Sequence, residues 1–342
     1  MGGCGSKNAA GKKNFLIETM AGHEKGINCM ALSEDGSVLA TGSEDKTARL
    51  WSTKTHSCEC IGILRGHEEY INCILIEDCY VLTGSADKTI RKWDVSTCEC
   101  VLICRGHTSI IYRMICTGDF IFTSSYDCTA RCWDFENGEC LRVFRGHKKF
   151  VCPLIFIPAD DDDVDDTLDM EGANDLLITG SADATARKWN FETGKCLHVF
   201  KGHDSREGAI MCMATDSLGR ILFTGSGDKT IRSWNLSRGE QLKVFEGHTG
   251  SVICMQVCTI YCLNKCLVYL IIFFLCILFY CKFRLYFISE NAISPTVFDV
   301  GTLLYANAEL NTTQFLQQYV TYCLNSHLVN CTEGIVYVTT AT

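Results

Sequence analysis

Between Asn14 and Val257 the apolar residues come in short runs parted by Gly, Asp and Ser, and the runs come in sets of four. The first set is Ile27-Asn28-Cys29-Met30-Ala31-Leu32, Val38-Leu39-Ala40-Thr41, Thr47-Ala48-Arg49-Leu50-Trp51 and Glu59-Cys60-Ile61-Gly62-Ile63-Leu64. Short runs bounded by turn residues read as β-strands. Four antiparallel strands form one sheet, and sheets stacked radially bury both faces against their neighbours. The pattern predicts an all-β chain with five complete four-stranded sets. It breaks after Ser251-Val252-Ile253-Cys254-Met255-Gln256-Val257, which reads as the first strand of a sixth set. An apolar stretch from Leu267 to Ile288 follows, interrupted by Lys282 and Arg284, and Cys266 to Cys281 carries no charge. A membrane-spanning helix needs about 20 mostly apolar residues. The stretch therefore predicts a partly helical segment and a candidate transmembrane helix.

Each set carries one motif. A Gly-His step is followed by Thr-Gly-Ser-x-Asp-x-Thr-x-Arg-x-Trp or a close variant, with the steps at Gly22-His23, Gly66-His67, Gly106-His107, Gly146-His147, Gly202-His203 and Gly247-His248. All five tryptophans of the chain close such a motif. Each has an Asp six residues before it and an Arg two before it (Arg49, Arg91, Arg131, Arg187, Arg232). A repeat of about 40–45 residues ending in this tryptophan resembles the WD40 family. The resemblance covers about Asn14 to Val257. It implies a β-propeller of five blades plus one strand, an incomplete ring whose closing strand is Phe15-Leu16-Ile17-Glu18-Thr19. It also implies one structural tetrad per blade: His23, Ser43, Asp45, Trp51; His67, Ser85, Asp87, Trp93; His107, Ser125, Asp127, Trp133; His147, Ser181, Asp183, Trp189; and His203, Ser226, Asp228, Trp234. In the family the Asp binds the histidine, the histidine reaches a Ser or Thr of the second strand, and that hydroxyl reaches the indole. Ser, His and Asp are also the ingredients of a hydrolase triad. A catalyst needs one such constellation in one cleft, however, and five equivalent ones around a ring favour the structural role. The five arginines are expected as charge partners near the Asp turns, with a second use as contacts for an acidic partner.

Composition narrows the functional classes. Lys plus Arg is 31 against 40 acids, a net charge of −9, so the basic surface expected of a nucleic-acid protein is missing. The excess is local: DDDDVDDTLDMEGAND, within a 159–175 insertion in the fourth blade, holds nine acids and no base. Such a run is expected to form a disordered surface loop. It lacks the Asp-x-Asp-x-Asp-Gly spacing and closing Glu of a calcium loop. Cys60, Cys100, Cys140 and Cys196 each lie seven residues before a Gly-His histidine and are expected as small buried hydrophobes. Cys58 with Cys60 and Cys98 with Cys100 lack the second ligand pair of a zinc site. No metal, cofactor or catalytic residue is expected.

The ends raise a different subject. Met1-Gly2-Gly3-Cys4-Gly5-Ser6 fits the myristoylation pattern at Gly2, with Cys4 a candidate for palmitate and Lys7, Lys12 and Lys13 close by. Stable anchoring takes two such signals. The expected division is a flexible tail over 1–13, propeller repeats over 14–257, the hydrophobic segment over 258–288 and an unassigned tail over 289–342. The sequons Asn311-Thr312-Thr313 and Asn330-Cys331-Thr332 fall in that tail. The C-terminal segment reads in three ways: a membrane anchor, an alternative ending that truncates the ring, or translated non-coding sequence with little independent function. The expected activity is that of a non-enzymatic interaction scaffold binding proteins or peptides on the propeller face. Its expected place is the cytoplasm, with membrane association through the lipidated N-terminus or residues 266–288. The alternative is a substrate receptor of a ubiquitin ligase. Against it, no F-box-like domain precedes Asn14, and the Trp-Asp-x-Arg docking box is absent at Trp93-Asp94 and Trp133-Asp134.

Overall fold

The computed structural model describes residues 19–54, 59–159, 174–216, 218–261, 267–277, 280–289, 296–299 and 337–338. The lipidation candidates Gly2 and Cys4, most of the closing strand Phe15–Thr19, residues 160–173 of the acidic insertion and both sequons lie outside them.

Five four-stranded antiparallel sheets follow one another along the chain, each in the order of its strands. Blade 1 is β1 (Ile27–Leu32), β2 (Val38–Ser43), β3 (Thr47–Ser52) and β4 (Cys60–Arg65). Blade 2 is β5 (Ile71–Glu77), β6 (Tyr80–Ser85), β7 (Thr89–Asp94) and β8 (Cys100–Arg105). Blade 3 is β9 (Ile111–Cys116), β10 (Phe120–Ser125), β11 (Thr129–Asp134) and β12 (Cys140–Arg145). Blade 4 is β13 (Val151–Ile157), β14 (Leu176–Ser181), β15 (Thr185–Asn190) and β16 (Cys196–Lys201). Blade 5 is β17 (Ile210–Thr215), β18 (Ile221–Ser226), β19 (Ile231–Asn235) and β20 (Gln241–Phe245).

The core lies between blades. Ala40, Ala48, Leu50 and Leu64 of blade 1 pack on Ile71, Ile74, Val81 and Trp93 of blade 2. Phe122, Ala130, Cys132 and Phe144 of blade 3 meet Val151, Leu154, Leu177 and Trp189 of blade 4 in the same way. Polar latches tie adjacent blades together. Asn28 Nδ2 donates to Ile71 O and Asn72 Nδ2 to Ile111 O, both at 3.0 Å, and Ser124 Oγ donates to Cys152 O at 2.7 Å. Lys92 is buried, with Nζ donating to Phe135 O at 3.0 Å and lying 3.7 Å from the Phe135 ring centroid.

After blade 5 the chain continues in strands without the motif. Val252, Met255 and Val257 cover Phe223, Ile231 and Phe245 of blade 5, so the sixth set begins as its pattern predicts, with β21 at Cys254–Tyr261. It is followed by β22 (Leu267–Ile277), β23 (Tyr280–Ser289), β24 (Thr296–Asp299) and β25 (Tyr337–Val338), in the sheet order β24-β23-β22-β21-β25. The expectation of a partly helical segment is corrected. The described residues of the apolar stretch are strands, Val268 to Ile277 pairing antiparallel with Ser289 to Tyr280. A run rich in Ile, Phe, Tyr and Val suits an extended, laterally paired backbone as well as it suits a helix, and apolarity alone does not choose between them. No helix among the described residues is long and apolar enough to cross a membrane.

Candidate functional site

The Gly-His loops and the Asp turns meet at one end of every blade. The glycine is dictated by contact: a Cβ on Gly66 would lie 2.7 Å from Arg91 Nη1 and 3.1 Å from the Trp93 ring, and one on Gly106 2.6 Å from Arg131 and 3.0 Å from Trp133. The histidine beside it is thereby held over the tryptophan. The facing turn places the residue after each Asp in the left-handed region (Lys46, Lys88, Cys128, Ala184 and Lys229, φ 65–72°). The Asp side chain stabilises that turn by accepting bonds from the Thr two residues on, as in Thr89 N and Oγ1 to Asp87 Oδ1 at 2.9 and 2.6 Å.

The chain of bonds is the same five times. In blade 2, His67 Nδ1 meets Asp87 Oδ2 at 2.6 Å, His67 Nε2 meets Thr83 Oγ1 at 2.7 Å, and Trp93 Nε1 donates to Thr83 Oγ1 at 2.8 Å. Blades 1, 3, 4 and 5 repeat it through His23, Thr41 and Trp51; His107, Thr123 and Trp133; His147, Thr179 and Trp189; and His203, Thr224 and Trp234. His, Asp and Trp fall where the repeat predicts. The serine assignment is corrected. Ser43, Ser85, Ser125, Ser181 and Ser226 are not the bridging hydroxyls; each instead accepts from the backbone N–H of its tetrad Asp at 3.0–3.1 Å. Register explains the choice. Trp93 stands opposite Val81, so on its face Thr83 is two residues along the neighbouring strand and Ser85 four. At about 3.3 Å per residue only the threonine is in reach.

The network assigns protons. A neutral imidazole donates Nδ1–H to the carboxylate and accepts the threonine O–H at Nε2, leaving the threonine oxygen to accept from the indole. Burial pushes His107 and His203 below the usual imidazole range, although Asp127 and Asp228 pull the other way. The short His107–Asp127 and His203–Asp228 contacts are therefore hydrogen bonds of a neutral ring. For the carboxyls burial acts upward, yet the bonds from Thr, His and backbone N–H together hold Asp45, Asp87, Asp127 and Asp183 well below the carboxylate range and Asp228 at about 2. Thr, His and Asp here share the connectivity of a hydrolase triad. But Thr83, Thr123, Thr179 and Thr224 are wholly buried and already accept the indole N–H, so a substrate carbonyl has no approach to them.

Two further expectations are corrected. The arginines do not pair with the Asp turns. Arg91, Arg131 and Arg187 lie over their tryptophans at 5.8 Å, with Nη1 donating to Cys100, Cys140 and Cys196 Sγ at 3.8–4.0 Å. In blade 5 the acceptor is Gln241 Oε1 at 2.6 Å. Cys60, Cys140 and Cys196 are exposed and Cys100 half-buried, because the outermost strand has no neighbour beyond it. Among the described residues no group of three or more His, Cys, Asp or Glu side chains is placed to hold a metal ion.

The inner strands hold what the motif did not reveal. Cys29, Cys73 and Cys212 share one position on β1, β5 and β17, and Arg113 takes that position on β9. Arg113 is exposed, and its charge acts on the thiols of Cys29, Cys73, Cys152 and Cys212, from four different blades. Burial nevertheless dominates at those thiols, pushing Cys29 up to about 12 and Cys152 to about 11. The signal for this collar was the third residue of the strand after each Gly-His loop (Cys29, Cys73, Arg113, Pro153 and Cys212), with Cys152 one residue earlier on β13.

The family described as WD domain, G-beta repeat matches residues 14–52, 58–94, 98–134 and 194–235. The segment 58–94 runs from β4 of blade 1 through β7 of blade 2, so the sequence repeat is out of phase with the sheet. Blade 4 keeps its tetrad although no matched segment covers β13 to β15; its first two strands are separated by the insertion. The chain is 49% identical over 219 residues to human WD repeat-containing protein 86, covering 64% of this chain and 54% of that protein. It is 35% identical over 184 residues to Mitochondrial division protein 1 of Coccidioides immitis, covering 54% and 25%. It thus spans about half the length of the first relative and about a quarter of the second. Among solved structures it is similar to the computationally designed Ika8 protein, with a TM-score of 0.58 and 25% identity over 74% of this chain and 70% of that one. Five four-stranded sheets, five Asp–His–Thr–Trp chains and these matches agree: the chain belongs to the WD40-repeat family.

Proposed function

We propose that this protein is a non-enzymatic interaction scaffold, with its contact surface on the end of the blades where the Gly-His loops and Asp turns gather. One observation carries the reading. On that end the residues common to all blades are consumed by internal bonds, while the exposed positions between them differ from blade to blade. The two residues after the histidine are Glu24-Lys25, Glu68-Glu69, Thr108-Ser109, Lys148-Lys149 and Asp204-Ser205. A surface of this kind is a rigid frame with variable tips, which suits recognition of a protein or peptide.

The test is cross-linking of the full chain to its cellular partners, followed by mapping of the linked positions. Links concentrated on the Gly-His and Asp-turn tips support the reading. Links confined to the outermost strands β4, β8, β12 and β16 overturn it.

A further inference from the structure

One junction on this end differs from the rest. Tyr126, in the Asp turn of blade 3, stacks on Phe150, which precedes β13 of blade 4, with ring centroids 4.5 Å apart and planes 12° apart. Tyr112 of β9 closes the group at 5.7 Å from Tyr126 and 6.1 Å from Phe150. At the other junctions the residues equivalent to Tyr126 and Phe150 are Glu44 with Tyr70, Ala86 with Ile110, Ala182 with Ala209 and Gly227 with Ser251. No other junction stacks two rings there. Tyr126 is 42% exposed, so part of this stack faces solvent.

Charge gathers at the same place. Arg113 follows Tyr112, with its guanidinium carbon 5.9 Å from the Tyr112 ring centroid. Lys148 and Lys149 immediately precede Phe150 and are exposed. Theirs is the Gly-His loop that carries two cations and no anion. The carboxylates of the two Asp turns at this junction, Asp127 and Asp183, are committed to His107 and His147 at 2.7 and 3.0 Å. An apolar platform with Arg113 beside Tyr112 and two exposed lysines next to Phe150 in the chain complements a segment that offers one apolar side chain and flanking carboxylates.

We infer that the junction of blades 3 and 4 binds an acidic peptide segment, its apolar side chain on the Tyr126–Phe150 stack and its carboxylates on Arg113, Lys148 and Lys149. The inference rests on the reading of this end as a protein-binding surface. It adds where the contact is centred and what chemistry it takes.

The experiment is selection of a displayed library of random peptides on the full chain, with the recovered peptides synthesised and titrated. Enrichment of Asp and Glu beside an aromatic or large aliphatic residue is expected. Binding should weaken at least tenfold in Arg113→Glu and in Tyr126→Ala, and weaken with added salt. Lys229→Glu, on the blade 5 turn, should leave it unchanged. Circular dichroism confirms the fold of each variant, and Lys148→Glu with Lys149→Glu provides a second, fully exposed probe. Peptides without acidic bias, or binding indifferent to Arg113→Glu and Tyr126→Ala, overturn this inference and leave the scaffold reading standing. No enrichment over heat-unfolded chain overturns both.

Discussion

β1 and β5 begin alike, Ile-Asn-Cys against Ile-Asn-Cys, and form the same strand with the same bulge, yet they sit in different surroundings. Ile71 and Ile74 of β5 are 0% and 4% exposed; Ile27 and Met30 of β1 are 54% and 72% exposed. The difference is not in the blade. The tetrads of blades 1 and 2 have the same bonds, with the histidine and aspartate side chains buried in both. Among the described residues, no preceding blade offers β1 the equivalents of Ala40, Ala48, Leu50 and Leu64. The repeat therefore encodes two separable things: a polar clamp complete within one blade, and an apolar flank that is half of an interface. On β1 that flank leaves Ile27, Met30 and Leu32 exposed, 54%, 72% and 56% respectively.

Acid should produce the largest effect and should ignore this distinction. All five tetrad carboxyls are held below their usual range, so the stability they contribute is present above about pH 4, the unfolded carboxylate value, and is lost as pH falls through the depressed values. His107 and His203 act in the same direction. Their folded values lie below the unfolded one, so the unfolded chain binds the extra proton, and stability begins to fall below about pH 6.5. The melting temperature should therefore be level near neutrality, decline gently from there and collapse below about pH 4. A protein that gained stability on acidification would refute the neutral-imidazole clamp.

Next comes the flank itself. Ile71→Ala removes a wholly buried side chain between two blades and should cost about 2–5 kcal/mol, whereas Ile27→Ala should fall within about 0.5 kcal/mol. Urea denaturation of the two variants measures the gap directly. Equal losses would show that β1 is covered in solution.

The clamp separates residues that sequence alone left together. Thr83→Val should orphan the Trp93 N–H and the His67 ring, each buried, at about 1–3 kcal/mol per group, while Ser85→Ala loses the bond from Asp87 N–H and the shared bond to the Glu69 and Tyr70 carbonyls, none of them to the clamp's His or Trp, at about 1 kcal/mol per bond. Thermal melts rank the two, and a larger loss for Ser85→Ala would restore the serine to the bridge. The blades, their order and the His, Asp and Trp of each clamp were legible because identical residues recur at one spacing. The hydroxyl was not. Threonine and serine recur equally well, and only strand register, which places Trp93 opposite Val81, decides between them. The aromatic junction was illegible for the opposite reason. Tyr112, Tyr126 and Phe150 are far apart in the chain, occur once and belong to no repeat. The apolar stretch misled because composition cannot distinguish a helix whose hydrogen bonds are internal from strands paired with one another.

The smallest effect asks whether blade 1 is exposed on one flank or loosely held throughout. Asn28 and Asn72 each donate from the inner strand to a carbonyl of the following blade, Ile71 O and Ile111 O, at the same 3.0 Å. These bonds lie on the side that both blades keep covered. If blade 1 differs only in the exposure of its β1 flank, its forward latch is as firm as that of blade 2. Asn28→Ala and Asn72→Ala should then each cost about 0.5–1.5 kcal/mol, the net contribution of one such bond. Hydrogen exchange at the β1 and β5 amides gives the same comparison without mutation, since local opening reports the firmness of each blade separately. A blade held loosely as a whole would give no loss for Asn28→Ala and fast exchange along β2 and β3 as well as β1. Equal losses, with fast exchange confined to β1, would place the difference in the exposed flank alone.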